Sequence, residues 1–269
     1  MTEFESPELY LEFSWFVMRK SRHVLDARNR RFLDTVIETS AKRRATIKGG
    51  SSFWRAQIGY GSAPKRSFRR EVPFPPERMK PLPDRAAEGR VNPKGLPCLY
   101  LSTDRETAMT ETRPWIGSLV SVAQFVMCRD LTVVDCSADL HNPDWYRFSE
   151  DDEGVREYSA DDLDKYVWGE INRAFSKPVT RNDDVAEYAP TQVLAEAFRS
   201  AGYDGIVYGS KLGTGKTVAI FDLNAAELAN CHLYRVEAVN LKFDMAANPY
   251  YLEKYCDVGE SHEERRVTG

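Results

Sequence analysis

Between about residues 7 and 46 the apolar positions Leu9, Leu11, Phe16, Leu25, Phe32, Leu33, Val36 and Ile37 recur among Arg, Lys, Glu and Asp, with no Pro or Gly after Pro7. That spacing predicts a helical region whose apolar face packs on the rest of the molecule. Lys48, Gly49, Gly50, Ser51 and Ser52 break the pattern, and residues 53–58 begin the first predicted strand. Residues 62–92 are rich in Pro and basic side chains, including PFPPERMKPLPDR, and read as a long surface loop, either a rim over a pocket or an inert insertion. Residues 96–102 then read as a strand and 103–112 as a helix, capped by Thr103 and Asp104 and stopped by Pro114.

Alternating or continuous apolar runs predict strands at 118–128 and 131–136, whereas 139–157 is acidic and loop-like. Helices are expected at 161–175 and 191–201, followed by a turn and buried strand in GYDGIVYGS, a strand at 217–223 and a closing strand at 232–243. Strands outnumber helices, which points to an α+β fold. The pattern divides the chain into an N-terminal helical extension (1–48), a main domain (49–256) and a charged, mobile tail (257–269).

At 269 residues, 42% hydrophobic and 12% aromatic, the chain can bury a full core. A net charge of −4 argues against a protein that coats nucleic acid or an anionic membrane, so no nucleic-acid or membrane partner is expected. A basic cluster such as Lys42, Arg43 and Arg44 can bind phosphate locally but reads first as a solvated helix end. No apolar run reaches the roughly 18 residues of a membrane span, and the first residues lack the pattern of a signal peptide, so a cytoplasmic location is expected. The five cysteines form no CxxC pair and the four histidines no HxxxH or HExxH arrangement, which gives neither a disulfide framework nor a metal site.

Four polar stations interrupt this apolar framework: FWRAQ around Arg55, GRVNPKGLPCLYLS around Arg90 and Tyr100, TAMTETR around Glu111, and GYDGIVYGS ending in Ser210. Each lies beside a predicted strand or short helix, where a rigid scaffold can make side chains converge. Arginine matches two phosphate oxygens at once, so Arg55 and Arg90 are candidates to hold a pyrophosphate, with a structural salt bridge as the alternative for Arg55. Tyr100 offers an aromatic face and a hydroxyl. Glu111 can bind a ribose hydroxyl or stabilise an oxocarbenium-like transition state, or can pair with nearby Arg113. Ser210 can donate to a phosphate or an amide. The SKLGTGKT run from Ser210 to Thr217 imitates a phosphate-binding loop, but Ser210 replaces its first Gly and a strand follows where a helix should begin; a hairpin turn accounts for it.

GRVNPKGLPCLYLSTDRETAMTE, APTQVLAEAFRSAGYDGIVYGS and VAIFD, in that order over roughly residues 53–243, resemble the RES-domain family, whose members include NAD-degrading toxins of toxin–antitoxin pairs. The resemblance implies an ADP-ribosyltransferase-like fold, a split, curved, mostly antiparallel sheet with flanking helices that clamps NAD as substrate, with no cofactor. It implies Arg90, Tyr100 and Glu111 as the catalytic cluster, with Arg55, Arg90, Tyr100 and Ser210 binding the dinucleotide. The activity so implied is cleavage of the nicotinamide–ribose bond by water or phosphate, as an NAD glycohydrolase or NAD phosphorylase. Transfer of ADP-ribose to a protein or nucleic acid, and a catalytically silent binding module, stand as alternatives. An antitoxin is the implied protein partner and a homo-oligomer a second option. The N-terminal helices and the 62–92 segment exceed a minimal RES toxin, which bears on the choice of antitoxin.

Overall fold

A computed structural model of the chain describes residues 3–65, 68–82, 86–138, 158–177 and 185–241. In chain order the elements are α1 (Leu9–Arg19), α2 (Ala27–Thr39), β1 (Arg44–Ile47), β2 (Ser52–Ile58), β3 (Gly61–Lys65), β4 (Phe68–Val72) and α3 (Pro76–Met79). They continue with β5 (Leu99–Ser102), α4 (Arg105–Glu111), β6 (Leu119–Met127), β7 (Leu131–Asp135), α5 (Ala160–Ser176), α6 (Ala189–Ser200), β8 (Gly205–Gly209), β9 (Lys216–Ile220) and β10 (Ala226–Arg235). Residues 1–237 form one compact unit; of the second, 238–269, only 238–241 lie within the described residues, and the predicted mobile tail lies outside them.

The fold is α+β, built on one eight-stranded sheet in the order β1-β7-β8-β9-β5-β2-β6-β10. All its neighbouring strands are antiparallel except β7 and β8. The period-2 alternation of the strands sorts their side chains onto two faces. Val134, Ile206, Tyr208 and Ala219 join the core beneath α1, α2, α5 and α6, around Phe13, Trp168 and Phe198. Val133, Val207, Val218 and Ile220 join Leu99, Leu101, Phe125 and the buried Met79 of α3 on the opposite face.

The N-terminal helices are stitched into the first of these cores. The Trp168 indole donates to Thr39 Oγ1 at 3.1 Å, Ser40 and Tyr203 share a hydrogen bond of 2.8 Å, and buried Arg43 meets Asp164 at 3.3 Å. The predicted helical run does not reach residue 46. It ends at Arg43, because Arg44 to Ile47 pair with β7 as an edge strand, and tertiary pairing of Thr46 and Ile47 overrides the helical spacing.

Residues 62–92 also depart from the expected loop. β3 and β4 form a separate hairpin and α3 follows it, so much of the Pro-rich stretch satisfies its own backbone. The closing strand is displaced as well: β10 begins at Ala226 opposite Met127 and stops at Arg235, where its partner β6 itself starts at Leu119. Alternation alone cannot sustain a strand that has lost its neighbour. The acidic stretch at 139–157 lies outside the described residues. Among the described residues no helix is long and apolar enough to cross a membrane.

Candidate active site at the seam of the sheet

The strands β2 and β5 meet at a single pair, Trp54 and Ser102. The next positions in register, Arg55 with Leu101 and Ala56 with Tyr100, form no ladder pair, and the Arg55 guanidinium bridges that opening by donating from Nη1 to the Tyr100 carbonyl at 3.0 Å. The sheet thus splits where a cationic strand residue stands. Arg55 has no ion pair among the described residues, so the salt bridge weighed for it is not formed. Its Nε–H is buried without an acceptor, and burial lowers its pKa, though an arginine keeps its charge at any working pH.

Arg90 sits in a turn that is held from two sides. The Tyr100 hydroxyl donates to Asn92 Oδ1 at 2.7 Å and accepts from the Val91 amide at 3.0 Å. From α6, the Gln192 amide nitrogen donates to the carbonyls of Gly89 at 2.9 Å and Asn92 at 3.1 Å. Residue 89 must be glycine, since a Cβ there would stand 2.6 Å from the Tyr100 hydroxyl. So fixed, Arg90 donates from Nη2 to the Lys177 carbonyl, keeps a buried Nε–H without an acceptor, and has no carboxylate partner among the described residues.

Glu111 stands in the last turn of α4, a helix opened by Asp104, which accepts from the Thr107 amide at 2.7 Å. The turn between β8 and β9 packs on the start of this helix: the amides of Gly215 and Lys216 donate to Thr107 Oγ1 at 3.0 Å and Thr103 Oγ1 at 2.9 Å. A Cβ at residue 215 would collide with the Asp104 carboxylate. The Gly-rich run that imitates a phosphate loop is therefore a hairpin turn that needs close approach to α4. That approach brings Ser210 to Glu111, whose Oε1 accepts from the serine hydroxyl at 2.6 Å. Ser210 Oγ also accepts from the amides of Leu212 at 3.1 Å and Gly213 at 3.0 Å.

These elements enclose a cleft of about 430 Å³ lined by Arg55, Arg90, Tyr100 and Glu111, together with Trp54, Arg113, Tyr188, Tyr208 and Thr217. Four of the five residues singled out in the sequence thus converge. Ser210 is not on the wall and reaches the cleft only through Glu111. The hydroxyls of Tyr100 and Ser210 both serve the protein, so Tyr100 offers the cleft its ring.

Two kinds of residue escaped the sequence. Tyr208 lies between Arg90 and Glu111: burial raises its pKa strongly, the Arg90 charge opposes the rise and the Glu111 charge adds to it, so its phenol stays protonated. In a strand of apolar neighbours it reads as core, and only its place inside GYDGIVYGS marked it. Gln192 and Asn92 are both buried and act on the backbone around Arg90, a role that no spacing announces. Among the described residues no three His, Cys, Asp or Glu side chains cluster as a metal site.

The geometry defines a class: an α+β protein with an arginine-walled, nucleotide-sized cleft at a split in its sheet. The chain belongs to the RES-domain family, whose model matches residues 52–244. Among solved structures it is similar to a chain of the M. tuberculosis MbcT–MbcA toxin–antitoxin complex, at 15% identity and a TM-score of 0.37, over 74% of this chain and 92% of that one. No curated protein sequence matches the chain.

Proposed function

We propose that this protein cleaves the nicotinamide–ribose bond of NAD with water or phosphate as acceptor, and acts in the cytoplasm as a toxin restrained by an antitoxin. The observation that carries this reading is the convergence, in one cleft, of two guanidinium groups without carboxylate partners among the described residues and one carboxylate held by a hydroxyl. A buried N–H without an acceptor costs about 1–3 kcal/mol. Arg55 and Arg90 each carry one, and the phosphate oxygens of a dinucleotide would compensate the cationic wall they form.

The chemistry asks little of the protein beyond position and charge. As the C1′–N1 bond breaks, its electron pair passes to the pyridinium nitrogen, so nicotinamide leaves neutral and needs no proton. Positive charge then develops on the ribose, and the Glu111 carboxylate opposes it. Water or phosphate adds at C1′, and water gives up one proton in doing so. Ser210 holds Oε1 of Glu111 and, among the described residues, its second oxygen has no protein donor. Arg90 and Arg55 bind the pyrophosphate, and the rings of Tyr100 and Tyr208 wall the pocket.

Purified protein is expected to release nicotinamide from NAD, with ADP-ribose or its 1″-phosphate as the second product in chromatography. Glu111→Gln should lower turnover by about 10²–10³-fold with NAD affinity nearly unchanged. Label from NAD appearing in protein or nucleic acid would move the reading to ADP-ribosyl transfer, and unaltered NAD in the presence of phosphate would end it.

A further inference from the structure

A second cavity of about 490 Å³ adjoins the cleft, and Arg90 and Tyr188 line both. One of its walls is α1, through Leu11, Ser14 and Met18; Ala174 of α5 and Lys211 complete it. The α1 helix lies outside residues 52–244, the span that matches the family model, so this compartment is built partly from chain that the RES domain does not include.

We propose that the second compartment takes the adenosine monophosphate half of the dinucleotide, with the pyrophosphate crossing at Arg90 and the nicotinamide riboside half beside Glu111. This rests on the reading of the first cleft as an NAD site. Size supports it: ligand pockets span roughly 300–1,000 Å³, and a dinucleotide belongs at the upper end, which the cleft of about 430 Å³ does not reach alone. Charge supports it as well. Within the compartment Arg173 is paired with Glu170 and Lys177 with Glu187, while Lys211 has no carboxylate partner among the described residues. Net positive charge therefore gathers at Lys211 and Arg90, where the phosphates would cross. Beyond them Leu11, Met18 and the Tyr188 ring offer the apolar surface that a nucleobase needs.

Calorimetric titration of NAD, adenosine 5′-monophosphate and nicotinamide mononucleotide separates the halves. Leu11 is 50% exposed, so Leu11→Trp fills the compartment from its lip without disturbing the core, and Ser14→Trp fills it from a second position. Both variants, with melting curves as the check on folding, are expected to weaken NAD and adenosine monophosphate at least tenfold and to leave nicotinamide mononucleotide within twofold. Lys211→Glu should weaken NAD without altering the melting curve. If the folded variants bind all three ligands as the unaltered protein does, or lose the two mononucleotides equally, the compartment is not the adenosine site, while NAD cleavage that still depends on Glu111 leaves the proposed function standing. If the unaltered protein binds neither NAD nor adenosine monophosphate, both proposals fall.

Discussion

Ser210 has one proton and two lone pairs, and all three are engaged: the proton by Glu111, the lone pairs by the amides of Leu212 and Gly213. Under the proposed function it is a positioning residue, because all three are taken within the protein. Ser210→Ala should therefore lower the melting temperature, by about 1–3 kcal/mol of stability, and reduce turnover by up to about a hundredfold while leaving NAD affinity close to unchanged. Ser210→Thr should restore much of both. Arg113 is a second informative residue. It ends α4 with φ 49°, a left-handed position that costs a non-glycine residue about 1–2 kcal/mol, and its side chain lines the cleft. Arg113→Gly should keep or raise the melting temperature and weaken NAD binding in a titration. The opposite pattern, lost stability with intact binding, would make Arg113 a structural residue.

At the level of elements, the sequence located the strands and helices outside 44–47 and 61–79, because period-2 runs such as 118–128 and capped segments such as 103–112 carry their signals locally. Part of what it missed depends on distant partners, since β1 forms because β7 is there and β10 stops because β6 does; the local hairpin β3–β4 and the short α3 were hidden instead by the Pro-rich, basic composition of 62–92. The site divides in the same way. Arg90, Tyr100 and Glu111 were legible because one turn, one strand and one short helix carry them in succession. The roles of Ser210 and Gln192 were not, since each is set by a hydrogen bond across the fold, and that of Asn92 was not, since it lies in the bonds its side chain makes inside the turn to Ala87 and Tyr100. The turn from 210 to 215 tests this: Gly215→Ala has no room beside Asp104 and Thr103, and should destabilise the protein by about 1–3 kcal/mol and lower turnover by displacing Ser210. Intact turnover in the folded variant would show that the turn does not set the geometry of Glu111.

For the molecule as a whole, the buried phenols and thiols give the pH response. Burial lifts the pKa values of Tyr10, Tyr100 and Tyr208 above the ordinary phenol value of 10.0, and Cys98 is pushed up from 9.0 to about 12. Groups raised in the folded state leave stability complete below their unfolded pKa and remove it as pH climbs toward the folded value. Denaturant midpoints should thus be insensitive to these groups up to about pH 8 and fall from pH 9 upward; a flat profile through pH 11 would show that the groups are not buried. The pairing of Glu111 with Ser210, 99 residues apart, and of Ser40 with Tyr203, 163 apart, has a further consequence in time. Contacts of such separation form late in folding. On the ribosome Arg55, Arg90 and Glu111 emerge long before the strands that align them, so the nascent chain has no assembled cleft until β9 has left the exit tunnel. A chain cut short before β9 therefore carries Arg55, Arg90 and Glu111 without the cleft that unites them.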